Sequence, residues 1–378
     1  MSVRIAVLGF LAAAATLLSG ALLAQNVPSQ FLITGKAAEK IQDFSTINMA
    51  TAERLATACE KAAADQGVLI SVMILDKDGN HVYMDRMDGQ AYQNIITAEW
   101  KARTALLTRE PSKISMNRMI QDPSSEFEDL QLGLFPNSGG LPIVANKQLI
   151  GAIGVGGSAP KPPVWSDEIC AHKALEAVIG PGVAPLVEDL PARRNPNPGN
   201  EPVPRFAVSA PPKSSLPSEF VVGGKAAATV LDGDQISLAT AKKIASTCRD
   251  WANSNGKAMS LYVIDTLGEF VHMERMDGEI YNDGRTALLK AQTAIRMRQP
   301  TSIRAAQLKN DASGYPRSAV QYDFYGVSGG VPIVVDGQMI GAVGVSGTGD
   351  SDEACAVAGL KAAFGDHVTL PVYPSGKQ

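Results

Sequence analysis

The sequence predicts an α+β fold built twice on one plan. Two observations carry this. The stretch from Asp76 to Gly89 returns 189 residues later as Asp265 to Gly278, and both end Arg-Met-Asp-Gly. Around it, helical periodicity alternates with short β-branched runs in the same order in both halves. A self-match at one long offset marks a duplicated domain and not a short-period solenoid.

At the start of the chain, Arg4 precedes an apolar run from Ile5 to Leu18 and small residues up to Ala24. This is the layout of a secretory signal, with cleavage after Ala21 or Ala24. An uncleaved anchor is the alternative, but the run is short for a membrane span and no second candidate follows. Residues 1–24 are therefore expected to be removed. The mature protein is then periplasmic or secreted, with no stable insertion in a membrane. The net charge of −4 and pI near 5.7 argue against a nucleic-acid partner.

The first unit, 31–188, opens on Phe31 to Ala38, echoed by Phe220 to Ala227 at the head of the second, 220–372. In each unit a first helix comes next. Ala52, Leu55, Ala56, Cys59, Ala62 and Ala63 share one face in the first copy, and Ala241, Ile244, Ala245, Cys248, Trp251 and Ala252 in the second. A β-hairpin follows, its turn made by Asp-x-x-Gly because Gly79 and Gly268 take positive φ without a steric penalty. A second helix runs from about Ile95 to Arg109, and in the other copy to about Arg298; Glu110-Pro111 and Gln299-Pro300 mark the ends. The segments 112–136 and 301–325 show no clear period and read as loops or lids. Then come two strands, Gly-Gly-x-Pro-Ile-Val and Ile-Gly-Ala-x-Gly-Val, and a last helix from Ser166 or Ser351. Residues 189–219, rich in proline from Pro191 to Pro217, form a semi-rigid spacer between the units.

Each unit has one cysteine on its first helix and one early in its last. An even count in an exported chain, placed alike in both units, predicts bridges Cys59–Cys170 and Cys248–Cys355. Four buried thiols are the alternative. Chain entropy alone gives each such bridge a ceiling of roughly 4–5 kcal/mol.

With these motifs in place, the chain resembles the GlcG/HbpS-like haem-binding-like family, also found as the C-terminal domain of PduO-type proteins. The resemblance rests on the Arg-Met-Asp-Gly hairpin, Lys-Ala-x-Thr-Ala at Lys101 to Ala105 and Lys290 to Ala294, Gly-Gly-x-Pro-Ile, Ile-Gly-Ala-x-Gly-Val, and Asp-Glu opening the last helix. It covers both units as two tandem copies. It implies a profilin-like fold, a five-stranded antiparallel sheet with packed helices in each copy, and binding of a small molecule, most often haem held without a covalent link. The first copy departs at Gly156-Gly157, where the second has Ser346-Gly347, and in the proline-rich segment from Pro160 to Trp165.

Candidate ligand-binding residues fall in three groups. On the second helix, Thr97, Lys101, Thr104 and Thr108 share a face, as do Thr286, Lys290, Thr293 and Met297. They would line a polar cleft, or form a partly exposed face with Lys paired to an acid. On the hairpin, His81 and His272 are haem-ligand types, yet His81 aligns with Phe270 and His272 with Tyr83, so the bland reading is a strand histidine. Met84, Met273, Met87 and Met276 do align, as pocket or core residues. Arg86 and Arg275 would anchor a carboxylate or pair with Asp76 and Asp265 to hold the turn. There is no zinc spacing, covalent-haem motif, Walker loop or nucleophile elbow, and no catalytic residue is assigned. The leading expectation is an exported haem-binding protein for storage, delivery or sensing. Two others stay open: an enzyme acting on a small organic acid, and a ligand-free interaction module. The copies are expected to form an intramolecular pseudo-dimer or a homo-oligomer.

Overall fold

The computed structural model describes residues 27–35, 37, 45–122, 124–158, 164–190, 211–310 and 324–371. The apolar amino-terminal run and most of the proline-rich segment lie outside these residues. Among the described residues, no helix is long and apolar enough to cross a membrane.

Each copy begins with an amphipathic helix, α1 (Met49–Asp65) in the first and, as numbered along the chain, α6 (Leu238–Ser254) in the second. Asn48 and Ser237 cap them, accepting hydrogen bonds from the amides of Thr51 and Thr240. The hairpins are β1 (Ser71–Asp76) with β2 (His81–Arg86), and β5 (Ser260–Asp265) with β6 (Phe270–Arg275). Asp76 closes its turn by accepting the amides of Asp78 and Asn80, as Asp265 does for Leu267 and Glu269. The second helices, α2 (Gln93–Thr108) and α7 (Tyr281–Met297), stop at Arg109 and Arg298, both in the left-handed region, ahead of the prolines.

The segments expected to be loops are partly helical: α3 (Ser112–Gln121), α4 (Ser124–Gln131) and α8 (Thr301–Asn310). The buried positions of α3 are Ser112, Lys113 and Ser115, so an inward face exists without the apolar period that would announce it. Strands β3 (Gly140–Ala145), β4 (Gln148–Gly156), β7 (Gly330–Val335) and β8 (Gln338–Ser346) follow, and the copies end on α5 (Asp167–Val178) and α9 (Asp352–Phe364).

All eight strands join in one antiparallel sheet of order β3-β4-β1-β2-β6-β5-β8-β7. The copies meet at its centre, where β2 pairs β6 with Tyr83 opposite Glu274, Met84 opposite Met273, and Asp85 opposite His272. The resemblance implies five strands per copy. The described residues form four, with single bridges at Leu32–Ile47 and Val221–Ile236, and each hairpin edge is covered by the other copy. This is the intramolecular pseudo-dimer.

Helices cover both faces, which is why β1 and β5 are buried along their whole length. One layer holds α1, α5, α6 and α9; the bridges Cys59–Cys170 and Cys248–Cys355 tie it together, with Cα atoms 5.2 and 4.9 Å apart. The other holds α2 and α7, pressed so closely onto β4 and β8 that a Cβ on Gly154 or Gly344 would collide with the carbonyl of Ala98 or Ala287. The glycines of Ile-Gly-Ala-x-Gly-Val thus serve helix-on-sheet packing.

Candidate functional site

The Arg-Met-Asp-Gly hairpins work across the seam. Arg86 donates from Nη2 to Asp265 Oδ2 at 2.7 Å, and Arg275 from Nη2 to Asp76 Oδ2 at the same distance. Their Nε groups reach the carbonyls of Phe270 and His81. The expected Arg–Asp pair therefore exists, but each arginine holds the other copy's turn. Asp88 and Asp277 accept the first helical amides of α6 and α1, from Leu238 at 2.6 Å and Met49 at 2.8 Å. A carboxylate is favourable there beside the helix N-terminus. At Gly89, φ is +82° and a Cβ would stand 2.8 Å from the Ala226 side chain, so the turn tip docks on the other unit only as glycine. Met87 and Met276 pack behind these turns against the disulfide-side core.

Lys101, Thr104, Lys290 and Thr293 of α2 and α7 are internal, while Thr97, Thr108, Thr286 and Met297 are half-buried. Lys101 Nζ donates to Asp167 Oδ2 at 2.8 Å and to the Val155 carbonyl at 3.0 Å. Lys290 does the same with Asp352 at 2.7 Å and Val345 at 2.9 Å. Thr104 accepts the amide of Phe135 and Thr293 that of Tyr325, fastening the segment that returns to β3 or β7. All four side chains are buried. They lock helix, sheet and last helix together.

His272 is fully buried between two carboxylates, Asp85 Oδ1 at 2.6 Å and Glu274 Oε1 at 3.1 Å. Burial alone would lower its pKa, but these carboxylates raise it to about 9. Burial likewise opposes the charge on Asp85, yet the His272 imidazolium and the Lys242 ammonium 2.7 Å away hold it well below the usual carboxylate range. Burial and the Asp85 anion push Glu60 up to about 8, although Lys242 lies 3.0 Å from it. Arg249 completes the cluster, 3.1 Å from both Glu53 and Glu274. His272 is thus part of an ion-pair network and does not face a cavity.

His81 does. With Tyr262, Met273, Arg275, Tyr281, Gly284, Arg285, Leu288, Leu289 and Gln292 it lines a cavity of about 260 Å³ between the start of β2 and α7. Its Nδ1 meets the Tyr262 hydroxyl at 2.8 Å and its Nε2 meets Glu99 Oε1 at 3.1 Å. Burial pushes the Tyr262 phenol up, so it stays protonated. Met273, Leu288 and Leu289 make the apolar wall. Arg285 is exposed at the cavity, and among the described residues neither it nor Gln292 has a polar partner. The pocket therefore offers an imidazole, a thioether, phenols and a free guanidinium around an apolar wall, a set suited to a flat molecule carrying a carboxylate. Of the candidate ligand residues it gathers His81, Met273 and Arg275; Met84 lies in the adjacent core.

The HbpS-like family, described as haem degrading protein HbpS-like, matches residues 47–176 and 236–361, more than half of the chain. The chain belongs to this HbpS-like family. About a third of this chain covers most of the length of each of two relatives. A 15.0 kDa protein of Citrobacter freundii is 31% identical over 141 residues, 36% of this chain and 95% of the relative. GlcG of Escherichia coli is 33% identical over 111 residues, 29% of this chain and 81% of GlcG. Among solved structures, HbpS is 30% identical with a TM-score of 0.33, covering 39% of this chain and 99% of HbpS. A PduOC complex with haem is 22% identical, also at 0.33, covering 37% and 99%.

Within this HbpS-like chain, reading by shared motifs misses Tyr262, Tyr281, Gly284, Arg285, Leu288, Leu289 and Gln292. The signal that finds most of them is the opposite one. Gly284 stands where the first copy has Ile95, Arg285 where it has Ile96, and Gln292 where it has Arg103. What the copies share builds the fold and the frame of the pocket; its open space and its rim arise where they differ.

Proposed function

We propose that this chain binds a small planar anionic ligand, haem foremost, in the seam pocket of its second copy, and that it does so after export. The observation that carries this is the convergence of His81, Met273 and the unpaired Arg285 on one cavity in an HbpS-like chain. The donor chemistry fits haem. Imidazole and thioether are axial-ligand types, and a guanidinium suits a propionate. His81 would face the iron, its Nδ1 held by Tyr262 in the manner of an oriented ligand and its Nε2 exchanged from Glu99. Met273 and Leu288 would contact the ring, and Arg285 and Gln292 a carboxylate. Bound haem would supply the iron centre, and the chain's own part is to hold, orient and shield it. Storage, delivery and sensing all use such a site.

The cavity is smaller than the roughly 300–1,000 Å³ of pockets that enclose drug-sized ligands. That favours a second reading, a small organic acid as the occupant, with the same residues holding its carboxylate. A haemin titration of the mature protein followed at the Soret band separates the two. Saturable binding that is lost or spectrally altered in His81→Ala supports haem. No saturable haem band, with saturable binding of a small carboxylate, moves the second reading to the front.

Export is supported by the amino-terminal apolar run and by four paired cysteines, bonds that persist in oxidising compartments. Intact mass of protein recovered outside the cytoplasm should begin after Ala21 or Ala24 and show no alkylatable thiol before reduction. A full-length mass with four reactive thiols would end the export reading.

A further inference from the structure

The position of Gly284 in the pocket wall leads to a second point, which rests on the pocket being the ligand site. We propose that the chain holds one such site and not two, because Ile95 and Phe270 fill in the first copy the space that Gly284 and His81 leave in the second.

The pseudo-twofold that relates the copies maps each wall of the pocket onto a counterpart 189 residues away. Met273 and Arg275 map onto Met84 and Arg86, and Tyr281 maps onto Tyr92, so the frame of the site is present twice. The occupants of the space differ. At Gly284 an added Cβ would meet only Met273 Cε at 3.8 Å and Arg275 Cδ at 4.0 Å, so the backbone borders open volume. Its counterpart Ile95 is fully buried and packs in the cluster that holds Met73, Met84 and Tyr262, with Tyr92 and Phe270 against it. A branched side chain thus stands in the first copy where the second has none.

The strand across the seam repeats the contrast. His81 presents a polar ring to the open pocket. Phe270, its counterpart, turns edge to face with Tyr92 at 5.5 Å and Tyr262 at 5.7 Å between centroids. The rim differs as well. Arg285 and Gln292 have no polar partner among the described residues, whereas their counterparts are the apolar Ile96 and Arg103, whose Nε is spent on Glu99 at 2.8 Å. The first copy lacks the space, the imidazole and the free rim donors together, whereas a merely tighter pocket would keep its donors.

The test is binding stoichiometry on the full chain, read by Soret titration with haemin and by calorimetry with benzoate as a small planar acid. The wild type should saturate at one equivalent. Gly284→Ile, which places a helix-favouring side chain in the cavity, should remove that equivalent while circular dichroism stays unchanged. Ile95→Gly combined with Ile96→Arg and Phe270→His should raise the count to two, and Ile95→Ala with the same two changes serves if the glycine variant does not fold; a count that stays at one in a folded variant would overturn the assignment of these positions. Two equivalents in the wild type would overturn the single-site proposal and leave the pocket as the ligand site. One equivalent retained in Gly284→Ile would show that the ligand binds elsewhere. Binding of neither probe would overturn both readings.

Discussion

The two copies face each other with different charges. At matched positions α1 carries Glu53 and Glu60 while α6 carries Lys242 and Arg249, and on the second hairpin strand Tyr83 stands where the other copy has His272. The pairs formed are Lys242 with Glu60 and Asp85, Arg249 with Glu53 and Glu274, and His272 with Asp85. A symmetric dimer of the first copy would bring Glu53, Glu60 and Asp85 against their own images, since a twofold interface sets the same patch on both partners. A single chain escapes that constraint. Fusion lets one half become acidic and the other basic at the contact, and lets one pocket close while the other stays open. Both differences make the copies non-interchangeable.

The largest test of that comparison is the pair of features that stayed symmetric. Arg86→Ala and Arg275→Ala each leave a buried aspartate of the other copy unpaired, and each should lower unfolding free energy by about 3–5 kcal/mol. Urea unfolding should give similar losses; a loss in only one variant would mean the locks are not equivalent. The charge network should be less even. Lys242→Glu, which gives the second copy the first copy's residue, sets a third carboxylate beside Glu60 and the buried Asp85 and should cost about 3 kcal/mol. The reciprocal Glu53→Lys falls on a half-exposed pair and should cost under about 1 kcal/mol. Equal costs would remove the argument for directional complementarity.

Smaller again are the hydroxyls of the second helices. Thr104→Val and Thr293→Val strand the amides of Phe135 and Tyr325, each at about 1–3 kcal/mol, with faster hydrogen exchange at those amides as the local readout. The finest effect is pH dependence. The folded pKa of His272 is raised from 6.5 to about 9, so its contribution is complete below 6.5 and lost as pH rises through 9. Wild type should therefore lose stability relative to His272→Gln between pH 6.5 and 9.5. Parallel profiles would show that His272 does not titrate in that window.

Much of the fold is legible in the sequence because repetition doubles every signal. The helix faces, the Asp-x-x-Gly turns and the cysteine pairs each occur twice in register, and the structure places all of them as read. The helices in 112–136 and 301–325 escape because their buried positions are polar or sparse. The candidate site is less legible. Lys101, Thr104, Lys290 and Thr293 look like a polar cleft, and the same residues serve as a buried clasp; residue type alone does not say whether a lysine's carboxylate is a ligand's or the protein's own.

By itself, then, the sequence determines the local elements, the duplication and the bridges, since these depend on near neighbours in the chain and on patterns that repeat. The tertiary structure decides what the hairpins pair with. Periodicity says that β2 and β6 are buried, but two like hairpins offer several edges, and only packing chooses the seam that joins them. That choice sends Arg86 and Arg275 to the other copy's aspartates, buries His272 and leaves His81 at an open pocket. Side chains far apart along the chain acquire a role only when a fold supplies their neighbours, because burial and charge act over a few ångströms of space and not along the sequence.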